Sequence, residues 1–382
     1  MQSFKGRRKV CSVLVLTAIM VQLLVSTITM TILSTDSVVK PLTLTLAQKI
    51  LEEQKLSRRC FVCITGQIQR LELKEKVLHI LQPLKRAGII PDVALVVSDD
   101  TMTRFSNDRG QEHKEQIYHN YQQASDYLAI QGFTVLTQES FKQCKNPHVP
   151  ASYINKMDNK TESFTKEKQI HRSRNHYRQF ESLKQCGTIY TAAAASVKYA
   201  FVIRARDDLG FQPSAWNGTT SNLTSVLREL YRNPNTILGS DCRTHGGIND
   251  RFAWVSPQAA LLYFQIPLAT MTGQLAISKQ TKNPESFLLY SYLGANITVR
   301  VTPKLRGLMK LVISSKSTTK FNDGELEKRF CPEDSMTGGF QRYLLNPQAR
   351  FPWMQRYHPK KLHQSHTAIS NVTCSGSRSR LP

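Results

Sequence analysis

Three runs of this chain carry charged side chains next to a β-strand pattern, and the chemistry they could perform follows from residue type and spacing. In FVIRARDDL (201–209), side-chain alternation along a strand puts Arg204, Arg206 and Asp208 on one face. Two guanidiniums can grip a diphosphate bidentately. A strand-end carboxylate can hold Mn2+ or Mg2+ through oxygen, with phosphates completing the shell. A row of exposed Arg–Asp ion pairs is the plainer alternative. GGINDRFAWV (246–255) clusters Asn249, Asp250 and Arg251 behind two glycines, which allow a backbone that a side chain would forbid. Glu285 follows at the start of a helix. An acid suits the helix dipole there, and it could equally act as a general base or bind an acceptor hydroxyl. TGQIQR (65–70) supplies Gly66, Gln67 and Arg70, which could meet a phosphate with backbone N–H groups and a guanidinium. It has neither the G-x-G-x-x-G pattern nor the G-x-x-x-x-G-K-[ST] loop, so a plain strand-to-helix turn is the simpler reading.

The elements that must position these residues are legible in the apolar pattern. CFVCIT (60–65) is a buried strand, residues 71–88 have helical spacing with a Gly stop, and VALVVSDD (93–100) is a second buried strand. Strand, helix and strand within about 40 residues form a βαβ unit and predict a parallel sheet. Further along, a helix and strand are expected over 121–137, a polar loop over 141–168 and a long helix over 166–198. The strand at 201–211 is followed by a helix at 221–234, a strand at 236–241 and a loop and strand at 246–256. A helix at 257–267, another at 283–296 closed by Gly294, and a strand at 297–303 complete the pattern. Ligands of open α/β sheets bind at the carboxyl ends of strands, where residues 65–70, 98–100 and 204–208 fall, while Asn249, Asp250 and Arg251 stand at the mouth of a later strand.

The compartment is set by Cys11 to Leu33, 23 residues without a charge. That length crosses a bilayer core. Lys5, Arg7, Arg8 and Lys9 precede it and no Lys or Arg follows until Lys40, so the amino terminus stays in the cytosol and the rest crosses. A cleaved signal peptide is the competing reading, disfavoured by the length and by the lack of a small-x-small site. Residues 1–10 are thus a cytosolic tail, 11–33 a signal-anchor, 34–58 a stem, 59–310 the folded domain and 311–382 a basic extension. The net charge of +23 would suggest nucleic acid in a cytosolic protein. On the far side of a membrane nucleic acid is excluded as a partner, and the charge fits anionic small molecules or acidic glycans. Seven of the 8 cysteines follow the anchor, so disulfides are expected with at least one thiol left over. Cys60 and Cys63 have CxxC spacing but face opposite sides of a strand, which argues against a metal or redox pair. Sequons at Asn159, Asn217, Asn222, Asn296 and Asn371 agree with a lumenal domain.

Taken in order, C-I-T-G-Q-x-x-R-L-E, HRSRNHYRQFESLKQC, F-V-I-R-A-R-D-D-L, G-G-I-N-D-R-F-A and P-E-S-F-L-x-x-x-Y-L resemble the Golgi-type glycosyltransferase-like proteins of GT-A nucleotide-sugar fold, over about residues 59–303. In that family an R-x-R-x-D pattern precedes an apolar residue. Arg204, Arg206, Asp208 and Leu209 match it, Asp207 stands where Pro is frequent, and a strict Asp-x-Asp motif is absent. The resemblance implies an α/β, GT-A-like, mostly parallel sheet flanked by helices and preceded by one transmembrane helix. It implies a single-pass type II Golgi membrane protein that moves sugar from a nucleotide-diphosphate donor to a glycan or glycoprotein hydroxyl. Gly66, Gln67, Arg70, Arg204, Arg206, Asn249 and Arg251 would then contact the nucleotide sugar. Asp208, Asp250 and Glu285 would be catalytic, and Asp208 would also contact Mn2+ or Mg2+. A non-catalytic sugar- or nucleotide-binding protein on the same fold is the alternative. A Golgi sulfotransferase ranks below both, because TGQIQR lacks the Lys of its phosphate loop.

Overall fold

The computed structural model describes residues 57–99, 118–156, 166–207, 209–210, 220–240, 247–248, 250–275, 284–302 and 310–311. The chain is α/β, with a mostly parallel mixed sheet between two layers of helices. Strand β1 (Arg59–Gln67) leads through a 3-10 turn (Ile68–Arg70) into a helical run, α1, built from Leu73–Lys76, a π turn at Val77–Leu81 and Gln82–Arg86. The π turn has a local cause. Pro83 carries no N–H for the carbonyl four residues back, and the wider turn absorbs the missing bond. Then follow β2 (Ile90–Ser98), α2 (Tyr121–Ile130), β3 (Thr134–Val135), α3 (Ala151–Lys156), the long α4 (Lys166–Ala194), β4 (Phe201–Arg206) and β5 (Leu209–Gly210). The last group is α5 (Thr220–Tyr231), β6 (Thr236–Ser240), β7 (Phe252–Val255), α6 (Pro257–Met271), α7 (Pro284–Gly294), β8 (Thr298–Thr302) and β9 (Lys310–Leu311).

The main sheet has 7 strands in the order β3-β2-β1-β4-β7-β6-β8, and β5 pairs with β9 apart from it. All its pairings are parallel except those of β7, which runs antiparallel to both β4 and β6. Alternation along β1 sends Cys60, Val62 and Ile64 to a core under α1, α2 and α5. Phe61 and Cys63 go to a second core under α3, α4, α6 and α7. The CxxC pair is therefore split between the two faces. Cys63 is bridged to Cys186 of α4, 123 residues away, while Cys60 is a buried free thiol. Cys144 is disulfide-bonded as well.

Several boundaries depart from the sequence pattern for identifiable reasons. The polar loop expected over 141–168 contains α3, whose Tyr153 is buried in the second core. Helix α6 runs through Pro267 and ends at Met271. Pro267 cannot donate to the Tyr263 carbonyl, and the Tyr292 hydroxyl of α7 donates to that carbonyl instead at 3.1 Å. Gly294 is the last residue of α7. The left-handed residue that ends the helix is Asn296, at φ 59°, with Ile297 N–H donating back to the Tyr292 carbonyl at 3.0 Å. Among the described residues no helix is long and apolar enough to cross a membrane, and the anchor expected at 11–33 lies outside them.

Candidate active site

The carboxyl ends of β1 and β4 adjoin, with Thr65 opposite Arg206, and each face of β4 there carries its own polar group. Asp207 belongs to the α1 side and is 0% exposed. Its Oδ2 accepts from the Gln67 N–H at 2.7 Å and from Arg70 Nε at 3.0 Å, with Arg70 Nη2 at 2.7 Å. Its carbonyl accepts from the buried Lys76 Nζ at 2.5 Å and the Glu72 N–H at 3.0 Å, and its own N–H donates to the Thr65 carbonyl at 2.7 Å. Gly66 is needed for this hub. It sits at φ +140°, and a Cβ there would fall 2.1 Å from Asp207 Cγ. Gly66, Gln67 and Arg70 thus form a clamp around Asp207, and β1 continues through Gln67 where a turn into a helix was expected.

The opposite face of β4 carries Arg204 and Arg206. Arg206 Nη1 donates to Asp250 Oδ2 at 2.7 Å, and Gln179 Nε2 of α4 donates to the same oxygen at 2.9 Å. Arg251 Nε stands 3.8 Å from Asp250 Oδ1. The Arg206 N–H also donates to the Arg251 carbonyl at 2.9 Å, which holds residues 250–251 against the end of β4. Glu285 comes from the first turn of α7 and is half-buried. Its carbonyl accepts from the Ile248 N–H at 3.1 Å, and the loop packs so tightly that a Cβ on Gly247 would lie 2.0 Å from the Glu285 carbonyl carbon and oxygen. Close approach to α7 is what requires Gly247.

The electrostatics separate the two carboxylates. Burial pushes Asp250 up, but Arg206, Arg251 and Arg204, with the Gln179 hydrogen bond, outweigh it and hold the carboxyl down at about 2. Glu285 is raised to about 7, first by burial and then by repulsion from Asp250, against weaker pulls from its own backbone N–H, Arg251 and Arg172. Asp250 is thus a fixed negative charge committed to Arg206, and Glu285 is a proton acceptor poised near neutrality. Beneath them His176 of α4 is buried 3.0 Å from the Tyr153 hydroxyl, and burial followed by Arg172 lowers it to about 3, so the ring is neutral.

The structure therefore brings Arg204, Arg206, Asp250, Arg251 and Glu285 together, and gathers Gly66, Gln67 and Arg70 around Asp207. Asp208 and Asn249, and the sequons at Asn159, Asn217 and Asn371, lie outside the described residues, while Asn222 falls in α5. Asn296 is exposed at the α7–β8 turn, as an acceptor of glycan must be. Among the described residues no three His, Cys, Asp or Glu side chains form a set that could hold a metal. Sequence reasoning passed over Arg172, His176 and Gln179 as site residues, although their spacing of four and then three places them on one face of a helix. It also took Asp207 as a departure from a family pattern, where the structure makes it a hub. No protein-family model matches the chain, and a search of curated proteins finds no match.

Proposed function

We propose that the chain is a glycosyltransferase that moves sugar from a nucleotide-diphosphate donor to a hydroxyl of a glycan or glycoprotein. The observation that carries this reading is the pairing of Glu285, raised to about 7, with an arginine-ringed Asp250 at the carboxyl edge of the sheet. Glu285 is the general base. Its carboxylate takes the acceptor hydroxyl proton as the oxygen attacks the anomeric carbon and the bond to the diphosphate breaks. Arg206 and Arg251 meet the charge that develops on the leaving diphosphate, and Arg204 adds positive potential from beneath them. Asp250 acts through its neighbours, aiming Arg206 and raising Glu285. Gln67 and Arg70 hold Asp207 and so shape the rim where the nucleotide would rest.

Asp208 is the proposed contact for Mn2+ or Mg2+, and no step above runs through the metal. We assign Asn249 to the donor sugar or acceptor. The mostly parallel sheet with one reversed strand supports the GT-A-like reading. The Cys63–Cys186 disulfide and bonded Cys144 support an oxidising, secretory compartment, in line with a type II Golgi protein anchored through 11–33.

The test uses the full-length chain in detergent. UDP-, GDP- and CMP-sugars are screened for nucleotide release and transfer, with Mn2+ and with EDTA, beside Glu285→Gln and Asp208→Ala. One donor should be turned over with a rate that falls as pH drops below about 7, the value to which Glu285 is raised. Glu285→Gln should lose about 10²–10⁴-fold in rate, the usual contribution of a general base. A donor that binds without release or transfer would favour the non-catalytic reading. Full activity in Glu285→Gln would remove the base assignment.

A further inference from the structure

Within the described cluster Arg204 has two buried donors that the proposed reaction does not engage, and its surroundings define a ligand of their own. The residue is 1% exposed, and its Nε and Nη2 are buried without a hydrogen-bond partner. Arginine keeps its charge at any pH a protein tolerates, so the guanidinium cannot relieve its burial by losing a proton. Among the described residues, Asp250 is the carboxylate whose charge acts on it. Both oxygens of Asp250 are engaged elsewhere, Oδ2 by Arg206 and Gln179 and Oδ1 beside Arg251. A cation buried with two unmet donors is costly, and native structures supply the missing acceptor.

The flanking residues limit what that acceptor is. Across the sheet Arg204 lies beside Cys63 of β1, which is bridged to Cys186, and beside Ala253 of β7, so neither strand neighbour offers it an oxygen acceptor or a charge from its side chain. From the helix layer, Tyr263 and Tyr292 stack at 5.4 Å, and the charge of Arg204 reaches both hydroxyls. The Tyr292 hydroxyl is already spent on the Tyr263 carbonyl. A diphosphate needs a mouth that a group 1% exposed does not present. A water would satisfy the two donors but not the charge. A monatomic anion satisfies both and is the smallest group that does.

We propose that Arg204 Nε and Nη2 form a buried halide site, in which one chloride accepts both N–H groups and neutralises the guanidinium beneath Asp250. The chloride is a structural ion. It keeps the base of the arginine cluster neutral and leaves Asp250 to Arg206.

The test needs neither donor nor turnover, so it stands or falls apart from the transferase reading. The melting temperature of the full-length chain in detergent is followed at fixed pH and ionic strength while chloride is exchanged for gluconate. Saturable stabilisation is expected, about 5 °C between halide-free and saturating conditions, restored by bromide. Arg204→Met, which removes the charge at similar volume, should abolish the halide dependence. If that variant does not fold, crystals of the unaltered chain grown in bromide decide the matter, with an anomalous peak expected within hydrogen-bond distance of Arg204 Nε and Nη2. A melting temperature indifferent to halide, or water in place of that peak, overturns the proposal. So does Arg204-dependent stabilisation by UDP with none by halide, which would return the residue to the nucleotide.

Discussion

Replacing Asp250 with Asn tests the electrostatic frame of the site with little change in shape. Asp250 anchors Arg206 at 2.7 Å, and the two side chains are 8% and 17% exposed. Removing one partner of a buried ion pair costs about 3–5 kcal/mol, because the other charge loses that counter-charge while it stays buried. The residual exposure of Arg206 argues for the lower end, about 3 kcal/mol. Linkage points the same way: a carboxyl lowered from 3.8 to about 2 stabilises the fold by roughly 2 kcal/mol at neutral pH. Because its folded value is depressed, that stabilisation is present above about pH 4 and is lost as pH falls towards 2. The melting temperature of Asp250→Asn at pH 7 should therefore fall by roughly 8 °C for a domain of this size. The same change removes the second-largest cause of the raised Glu285, so Glu285 should ionise at lower pH in the variant. In the pH–rate profile the acid limb should move to lower pH while the rate itself drops, since Arg206 is no longer aimed. Calorimetry and the profile together are decisive. A variant as stable as the parent, with an acid limb still near 7, would show that Asp250 neither neutralises Arg206 nor acts on Glu285.

Three further changes probe the scaffold. Gly66→Ala places a Cβ 2.1 Å from Asp207 Cγ at a φ of +140°, so chemical denaturation should show a loss of several kcal/mol, roughly 3 or more. Tyr292→Phe leaves the Tyr263 carbonyl without the donor that Pro267 cannot supply, and unfolding should register about 1–3 kcal/mol. Cys186→Ser opens a bridge that spans 123 residues, and a loss of about 2–5 kcal/mol is expected in the melting of the variant against the oxidised parent.

Much of the scaffold is written locally. Periodicity places the strands at 60–65 and 93–100 inside the observed β1 and across most of β2, and the helix expected over 166–198 is α4. Those elements bury continuous apolar faces, and a face is a property of neighbouring residues. Departures occur where a distant group repairs a local fault. Pro267 reads as a helix stop until the Tyr292 hydroxyl, 25 positions on, takes its place. Gly294 reads as a helix end and is the last residue of α7, but the left-handed residue that follows is Asn296.

The site divides in the same way. By itself the sequence determined which residue types stand at the strand ends. It also set Arg204 and Arg206 on one face with Asp207 turned to the other, because alternation in a strand needs only the order of residues. It determined that Cys60 and Cys63 could not share one partner for the same reason. Tertiary structure alone decided what each charge does. It bound Asp207 to Arg70 and the Gln67 N–H, gave Asp250 to Arg206 and Gln179, raised Glu285 beside Asp250, and left two donors of Arg204 unmet. A charge in water interacts weakly and locally, whereas a buried charge is governed by whatever the fold places within a few ångströms of it, and that company is absent from the linear order.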